Sequence, residues 1–281
     1  MEGMINMNEV KLTILVDNIA DQGLTHEHGF SCWVEVGGRK LLFDTGQGAA
    51  FAENAEKLSV DIKEADLIVL SHGHYDHTGG LTVAASKAPG ADIYAHPVST
   101  IPRYSIRDGA AKRIGMGQPA REVMNAETDR IQMAMKPIEV IEGVGVTGPI
   151  PRNTTYEDTG GPFYLDPDGL HTDPIIDDQA MWIRTTQGLV VVVGCSHAGL
   201  VNTLRYALKV SGEERLHAVL GGFHLNRASE ERLQRTMAEL EKIGFDHIVP
   251  CHCTGDAAVQ RLRDNFGRRV SQGSAGAVFC F

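Results

Sequence analysis

The decapeptide Ser71-His72-Gly73-His74-Tyr75-Asp76-His77-Thr78-Gly79-Gly80 puts three imidazoles and a carboxylate within six positions. Neutral imidazole suits zinc, iron or manganese, and a carboxylate adds a harder oxygen ligand suited to a catalytic centre. Side chains two apart in extended chain point the same way, so His72 and His74 can share one ion. Asp76 and His77, beyond Tyr75, can turn to a second. Without an ion, so many polar groups at a buried strand end would lack partners, at about 2–7 kcal/mol each. A metal site is therefore expected here. Gly73, Gly79 and Gly80 are expected to let the backbone bend sharply around the ions.

Other strand ends repeat the theme. VVVGCSH sets His197 just past an apolar run, AVLGGFH does so for His224, and HIVPCHC for His252, as ADLIVL does for the opening cluster. In layered α/β proteins, sites gather where strands end and helices begin, so these segments are expected to converge. His224 fits the site's rim and a hydrogen bond to a ligand equally well. Cys195, Cys251 and Cys253 each lie within two residues of a histidine. Cys251 and Cys253 flank His252, and in extended chain they point away from it, as packing residues would. His28 reads as a surface histidine near the site and His96 as a structural one; His171 and His217 belong to no motif. Arg152 is as well explained by the surface as by an anion.

The elements that must position these residues alternate. Val10–Val16, Phe30–Val36, Lys40–Phe43, Ala65–Leu70 and Ala91–Ala95 read as strands, with Ala49–Leu58 and Leu81–Lys87 as helices. Residues 97–135 read as an insertion or lid with a helix near Arg121–Met133, and 149–174 as a long functional loop. Lys136–Val146 reads as paired short strands, followed by a hairpin around Gln187-Gly188. Helices over Leu200–Val210, Ser229–Ile243 and Thr254–Asn265 then alternate with strands at Leu216–Leu220, His247–Pro250 and Ala277–Phe281. With no repeat and no linker, the 281 residues read as one α/β domain, sheets covered by helices.

At this point SHGHYDHTGG resembles the H-x-H-x-D-H signature of the metallo-β-lactamase superfamily, and LFDTG (Leu42–Gly46) resembles its early strand-end aspartate. GCSHAGLVN, GGFHL and PCHCTG resemble a subgroup named for dihydropterin–ribofuranosylaminobenzene phosphate synthase, and the likeness runs from about residue 9 to the end. The resemblance implies a four-layer αββα sandwich with two divalent ions at its edge, zinc first, iron or manganese next. It implies that His72, His74 and His197 hold one ion, that Asp76, His77 and His252 hold the other, and that Asp44 supports the ligand loop. Most members carry a bridging aspartate where this chain has Gly194-Cys195-Ser196-His197. Cys195, Asp178 or a water alone are the candidates for that bridge.

The expected activity is hydrolysis of a small ester, phosphoester or related substrate by a metal-activated hydroxide. Asp76 would act as ligand and orienting group, and His224 as proton donor to the leaving group. Two other readings are a pterin–arylamine condensing synthase, with Arg103, Arg107, Arg113 and Arg152 as phosphate contacts, and a non-catalytic metal-binding module. A net charge of -10 counts against a nucleic-acid partner. There is no apolar run of membrane-spanning length and no signal-like N-terminus. Five cysteines, odd and sparse, fit a reducing cytoplasm rather than a disulfide framework. A small-molecule substrate is the expected partner, and self-association is left open.

Overall fold

Residues 188–193, GLVVVV, are buried along their whole length, which a strand tolerates only when both faces are covered. A computed structural model describes residues 9–281 and shows what covers them. Residues 1–8 of the expected 1–281 domain lie outside the described range. The strands are β1 (Val10–Val16), β2 (Ser31–Val36), β3 (Arg39–Phe43), β4 (Leu67–Val69), β5 (Asp92–Ala95), β6 (Tyr104–Arg107), β7 (Ala110–Arg113) and β8 (Ile131–Met133), then β9 (Ile138–Ile141), β10 (Val144–Val146), β11 (Phe163–Tyr164), β12 (Ala180–Thr185), β13 (Gly188–Val193), β14 (Leu216–Gly222), β15 (His247–Cys251) and β16 (Val278–Cys280). The helices are α1 (Ala49–Lys57), α2 (Tyr75–Thr78), α3 (Leu81–Lys87), α4 (Gln118–Ala126), α5 (Leu200–Ser211), α6 (Glu230–Ile243) and α7 (Asp256–Phe266).

Among the described residues, one sheet runs β16-β1-β2-β3-β4-β5-β8 and a second runs β15-β14-β13-β12-β10-β9. Their facing sides share one apolar core, including Leu12, Ile14, Val34, Leu41, Val190, Val192 and Leu220. On the outer face of the first sheet, Leu42, Ile68 and Ile93 pack with Phe51 of α1, Leu81 of α3 and Met124 of α4. On the outer face of the second, Val191 and Val219 pack with Leu204 of α5, Leu240 of α6 and Leu262 of α7. The layers are therefore helix, sheet, sheet, helix, as expected.

Local chemistry sets the chain reversals. The β2–β3 hairpin turns on Gly37 (φ 57°) and Gly38 (φ 78°), the two positive-φ positions that a tight two-residue hairpin demands. Strands β3, β4, β5 and β8 pair in parallel, as do β13, β14 and β15. Each parallel run therefore ends at one edge of its sheet, and those edges carry the histidine segments.

The segment expected to be a lid through 135 is narrower than that. The expected helix near Arg121–Met133 is α4 at Gln118–Ala126, while 131–133 is a strand. Ala120 and Met124 are buried in the outer core and β8 extends the first sheet, so this part belongs to the body of the fold. What stands apart is the β6–β7 hairpin, which pairs with β11 from the 149–174 loop as a small third sheet. Arg103, read from sequence as a phosphate contact, is fully buried at the foot of that hairpin. It lies 2.6 Å from Asp177 and 3.3 Å from Asp173. Among the described residues, no helix is long and apolar enough to cross a membrane.

Candidate metal centre

The ends of β3, β4, β13, β14 and β15 meet at one edge of the sandwich. Just past them Asp44 (φ 57°), Ser196 (φ 54°), His224 (φ 47°) and His252 (φ 48°) hold left-handed backbone, which non-glycine residues rarely adopt. Such strain persists only where surrounding structure over-determines it, and it gathers at functional sites. Here it falls just beyond the ends of β3, β13, β14 and β15, where the ligand-type side chains gather.

The imidazoles are anchored through one nitrogen. Nδ1 of His72 is 2.8 Å from Ser71 Oγ, that of His77 is 2.7 Å from Asp44 Oδ2, that of His197 is 2.8 Å from the Thr159 carbonyl, and that of His252 is 2.8 Å from Asn18 Oδ1. The other nitrogens face inward. Nε2 of His74, His197 and His252 is buried with no hydrogen-bond partner among the described residues. Buried polar atoms seldom go unpaired, and metal-binding histidines usually fix their second nitrogen in this way, so the residues present fit bound divalent ions. Burial, reinforced by neighbouring imidazoles, drives the pKa of His72 and His197 well below the usual range; burial and then the Arg103 charge do so for His74. All three are thus in the neutral form that ligates.

The ligand atoms of His72, His74 and His197 all lie within 4.8 Å of one another, the trio expected for the first ion. The expected second trio is rearranged. Asp76 and His252 group with His28, and His77 groups with His72 and Cys195. His77 Nε2 still lies 3.9 Å from Asp76 Oδ2, and His252 Nε2 3.4 Å from it. His28, read from sequence as a surface histidine, places its Nε2 3.1 Å from Asp76 Oδ2. Burial alone would raise the Asp76 pKa, but the His77 charge and the nearby imidazoles of His252 and His28 outweigh it and hold the carboxylate well below its usual range.

Cys253 is a second correction. Residues 252–254 form a 3-10 turn rather than extended chain, so Cys253 swings to the same side as His252, its Sγ 3.4 Å from that of Cys195. Cys251 does pack in the core between the sheets. Burial opposes ionisation of both thiols near the site. In Cys195 it prevails, helped by Cys253; in Cys253 the bond with Cys195 and the nearby His224 and His252 overcome it and pull the pKa down. Asp178, a candidate bridge, is not one: its Oδ2 accepts the Ala198 N–H at 2.6 Å, and burial pushes its pKa up to about 7. Arg152 is likewise structural, donating to the carbonyls of His197 and Pro174.

Asp44 behaves as expected. It is fully buried and accepts the backbone N–H of Ser71 at 2.7 Å and the Ser71 hydroxyl at 2.6 Å while facing His77. The glycines work differently from the expectation. Gly73, Gly79 and Gly80 have no positive φ; a Cβ at them would sit 1.9 Å from the Ser99 carbonyl, 2.1 Å from that of Gln47 and 2.3 Å from that of Thr45. Their role is to let other strands of chain approach. Gly194 does the same at the centre, where a Cβ would lie 2.1 Å from Ser71 Oγ and 3.0 Å from Asp44 Oδ2. Gly194→Ala is expected to destabilise the fold by about 1–3 kcal/mol through overpacking. Chemical denaturation of the metal-free protein checks this, and an unchanged midpoint would count against such tight packing.

A cavity of about 530 Å³ opens onto these groups. His224 lines it, half-buried, with its ring 4.5 Å from that of His197. Phe163, from the 149–174 loop, packs its ring against His74, His197 and His224. Exposed Arg107, Lys112 and Arg227 also line the cavity, the first two from the β6–β7 hairpin. Sequence reasoning missed Phe163, Asn18 and Asp17. Asp17 accepts the His252 N–H at 2.6 Å. The Val16-Asp17-Asn18 step, polar residues just past a strand, carried the same signal as the histidine segments.

The model of the metallo-beta-lactamase superfamily matches residues 24–207. A 7,8-dihydropterin-6-methyl-4-(beta-D-ribofuranosyl)-aminobenzene-5'-phosphate synthase of Methanocaldococcus jannaschii is 30% identical, over 98% of each chain. An uncharacterized protein of the same organism is 31% identical over 89% of this chain and 93% of its own. The crystal structure of Tm1679, a metal-dependent hydrolase of the beta-lactamase superfamily, is 29% identical with a TM-score of 0.81, covering 96% of this chain and 98% of the other. In fold, in the H-x-H-x-D-H loop and in the convergence of strand-end ligands, this chain belongs to the metallo-β-lactamase superfamily.

Proposed function

We propose that this chain is a metal-dependent hydrolase of a small, negatively charged ester or phosphoester. The observation that carries the reading is the set of buried, unpartnered Nε2 atoms of His74, His197 and His252, aimed together at the inner end of an open cavity. Two divalent ions held there, by His72, His74 and His197 and by Asp76, His77 and His252, would supply Lewis acidity and a nucleophile at neutral pH.

The chain's own groups do the rest. The Asp76 carboxylate, held ionised by its three imidazole neighbours, accepts a hydrogen bond from the attacking water and fixes its direction. His224, which lines the cavity with its ring 4.5 Å from that of His197, donates a proton to the departing oxygen. Phe163 covers the rings of His74, His197 and His224 and keeps bulk water from them. Arg107, Lys112 and Arg227 give the cavity a cationic rim on a chain of net charge -10, which favours a phosphoester over a neutral ester.

The relative of 30% identity, named as a synthase, supports one second reading: a condensation that releases diphosphate within the same cavity. One experiment separates the two. Turnover of bis(p-nitrophenyl) phosphate and of p-nitrophenyl acetate is measured before chelation, after it and after zinc is restored. In parallel, diphosphate release is followed from a pterin diphosphate with an arylamine acceptor present. The hydrolase reading expects phosphodiester cleavage that falls more than about 100-fold on chelation and returns with zinc. No cleavage on either ester, together with acceptor-dependent diphosphate release, overturns it in favour of the synthase.

A further inference from the structure

We propose that Cys195 and Cys253 form a sulfur face of the metal centre, so that two thiolates join the imidazoles in holding the ions. The proposal rests on reading the site as a metal centre. Cys195 Sγ is the hub of the cluster: it lies within 4.8 Å of ligand atoms of His72 and His77, of His197 and His224, and of His252 and Cys253. It lies 3.1 Å from His77 Nε2 and 3.4 Å from Cys253 Sγ. Zinc–sulfur bonds of about 2.3 Å and zinc–nitrogen bonds of about 2.0–2.1 Å put tetrahedral ligand atoms roughly 3.4–3.8 Å apart. The observed separations need to open by only a few tenths of an ångström to admit an ion.

The backbone is arranged to bring the second thiol there. His252 in left-handed conformation begins the 3-10 turn that aims Cys253 inward. Gly222, at the end of β14, leaves it room, since a Cβ there would sit 2.7 Å from Cys253 Sγ. Both thiols line the cavity beside the imidazoles. Cys32 and Cys251 are buried too, but in the apolar core between the sheets, where a cysteine packs as a small apolar residue. On ligation each thiol gives its proton to solvent. A mixed nitrogen–sulfur set selects thiophilic ions such as zinc, cobalt or cadmium over manganese and magnesium.

Cobalt(II) titration of the full chain under anaerobic, reducing conditions tests this. A thiolate on cobalt gives a near-ultraviolet charge-transfer band, distinct from the visible bands of bound cobalt. The band is expected in the wild type, weakened about twofold in Cys253→Ser, absent from the Cys195→Ser/Cys253→Ser double variant, and unchanged in Cys280→Ser, whose cysteine is exposed. Cobalt uptake without the band overturns the sulfur face and leaves the metal centre standing. A band unaffected by Cys253→Ser overturns the two-thiol claim, and no cobalt uptake overturns the metal centre and the sulfur face together. Should the serine variants misfold, iodoacetamide labelling of the wild type decides. Cadmium is expected to protect Cys195 and Cys253 until a chelator removes it, and equal labelling with and without cadmium overturns the proposal.

Discussion

Asparagine at position 44 is expected to weaken metal binding, and turnover with it, by about 10–100-fold while leaving the fold intact, the usual cost of losing a carboxylate that supports a histidine ligand. Asp44 touches both ends of the ligand loop: Ser71 through its N–H and hydroxyl, and His77 through Nδ1. It sits at φ 57°, which asparagine tolerates, so the exchange removes charge and one acceptor without straining the backbone. The amide N–H₂ then faces either the Ser71 N–H, another donor, or His77 Nδ1, where it favours the tautomer that protonates Nε2, the nitrogen an ion needs.

The same variant has a signature in the metal-free protein. Burial alone would lower the His77 pKa, but the carboxylates of Asp44 and Asp76 outweigh it and raise it to about 9. A raised histidine pKa adds stability that is fully present below the unfolded value of about 6.5 and is lost as pH rises through the folded value. Asp44→Asn should therefore cost most stability below about pH 6.5 and progressively less towards pH 9. Denaturation of the metal-free variant across that range checks the sign, and a cost that grows with pH contradicts it.

Methionine at Arg103 is expected to destabilise the protein by about 3–5 kcal/mol, the cost of breaking a buried ion pair and leaving its partners charged. The guanidinium is fully buried between Asp173 and Asp177, and also donates to the Val98 carbonyl. The second oxygen of Asp177 accepts the Gly73 N–H at 2.8 Å, so this pair ties the foot of the β6–β7 hairpin to the loop between His72 and His74. Loss of the arginine should thus disturb metal retention as well as stability. Neutralising both acids, in Arg103→Met/Asp173→Asn/Asp177→Asn, should recover much of the loss, because a buried pair replaced as a unit leaves no stranded charge. Urea denaturation reads both; a single variant within about 1 kcal/mol of wild type would show that the pair is not structural.

The layers and the convergence of histidines were legible because short apolar runs ending in His72, His197, His224 and His252 encode both a buried strand and its polar terminus. What escaped depends on backbone that periodicity does not carry. Cys253 faces the site only because His252 is left-handed and the next residues turn as a 3-10 helix. His28 reaches Asp76 because Gly29 lets the chain cross close by, where a Cβ would lie 2.6 Å from the Asp76 carbonyl. Arg103 and Arg152 looked like anion-binding residues because sequence shows a charge in a loop but not the carboxylates or carbonyls folded over it. Phe163 lies in a two-residue strand inside a long loop, with no pattern around it to mark it as a wall of the site.

The proposed function requires two adjacent metal positions, one resting on His197 and the other on His252. Elemental analysis by inductively coupled plasma mass spectrometry, on wild type, His197→Ala and His252→Ala purified side by side without chelator, tests this most directly. Two divalent ions per chain in the wild type and no more than one in each variant is the predicted result. Trace metal in the wild type, or a full complement in both variants, would contradict it.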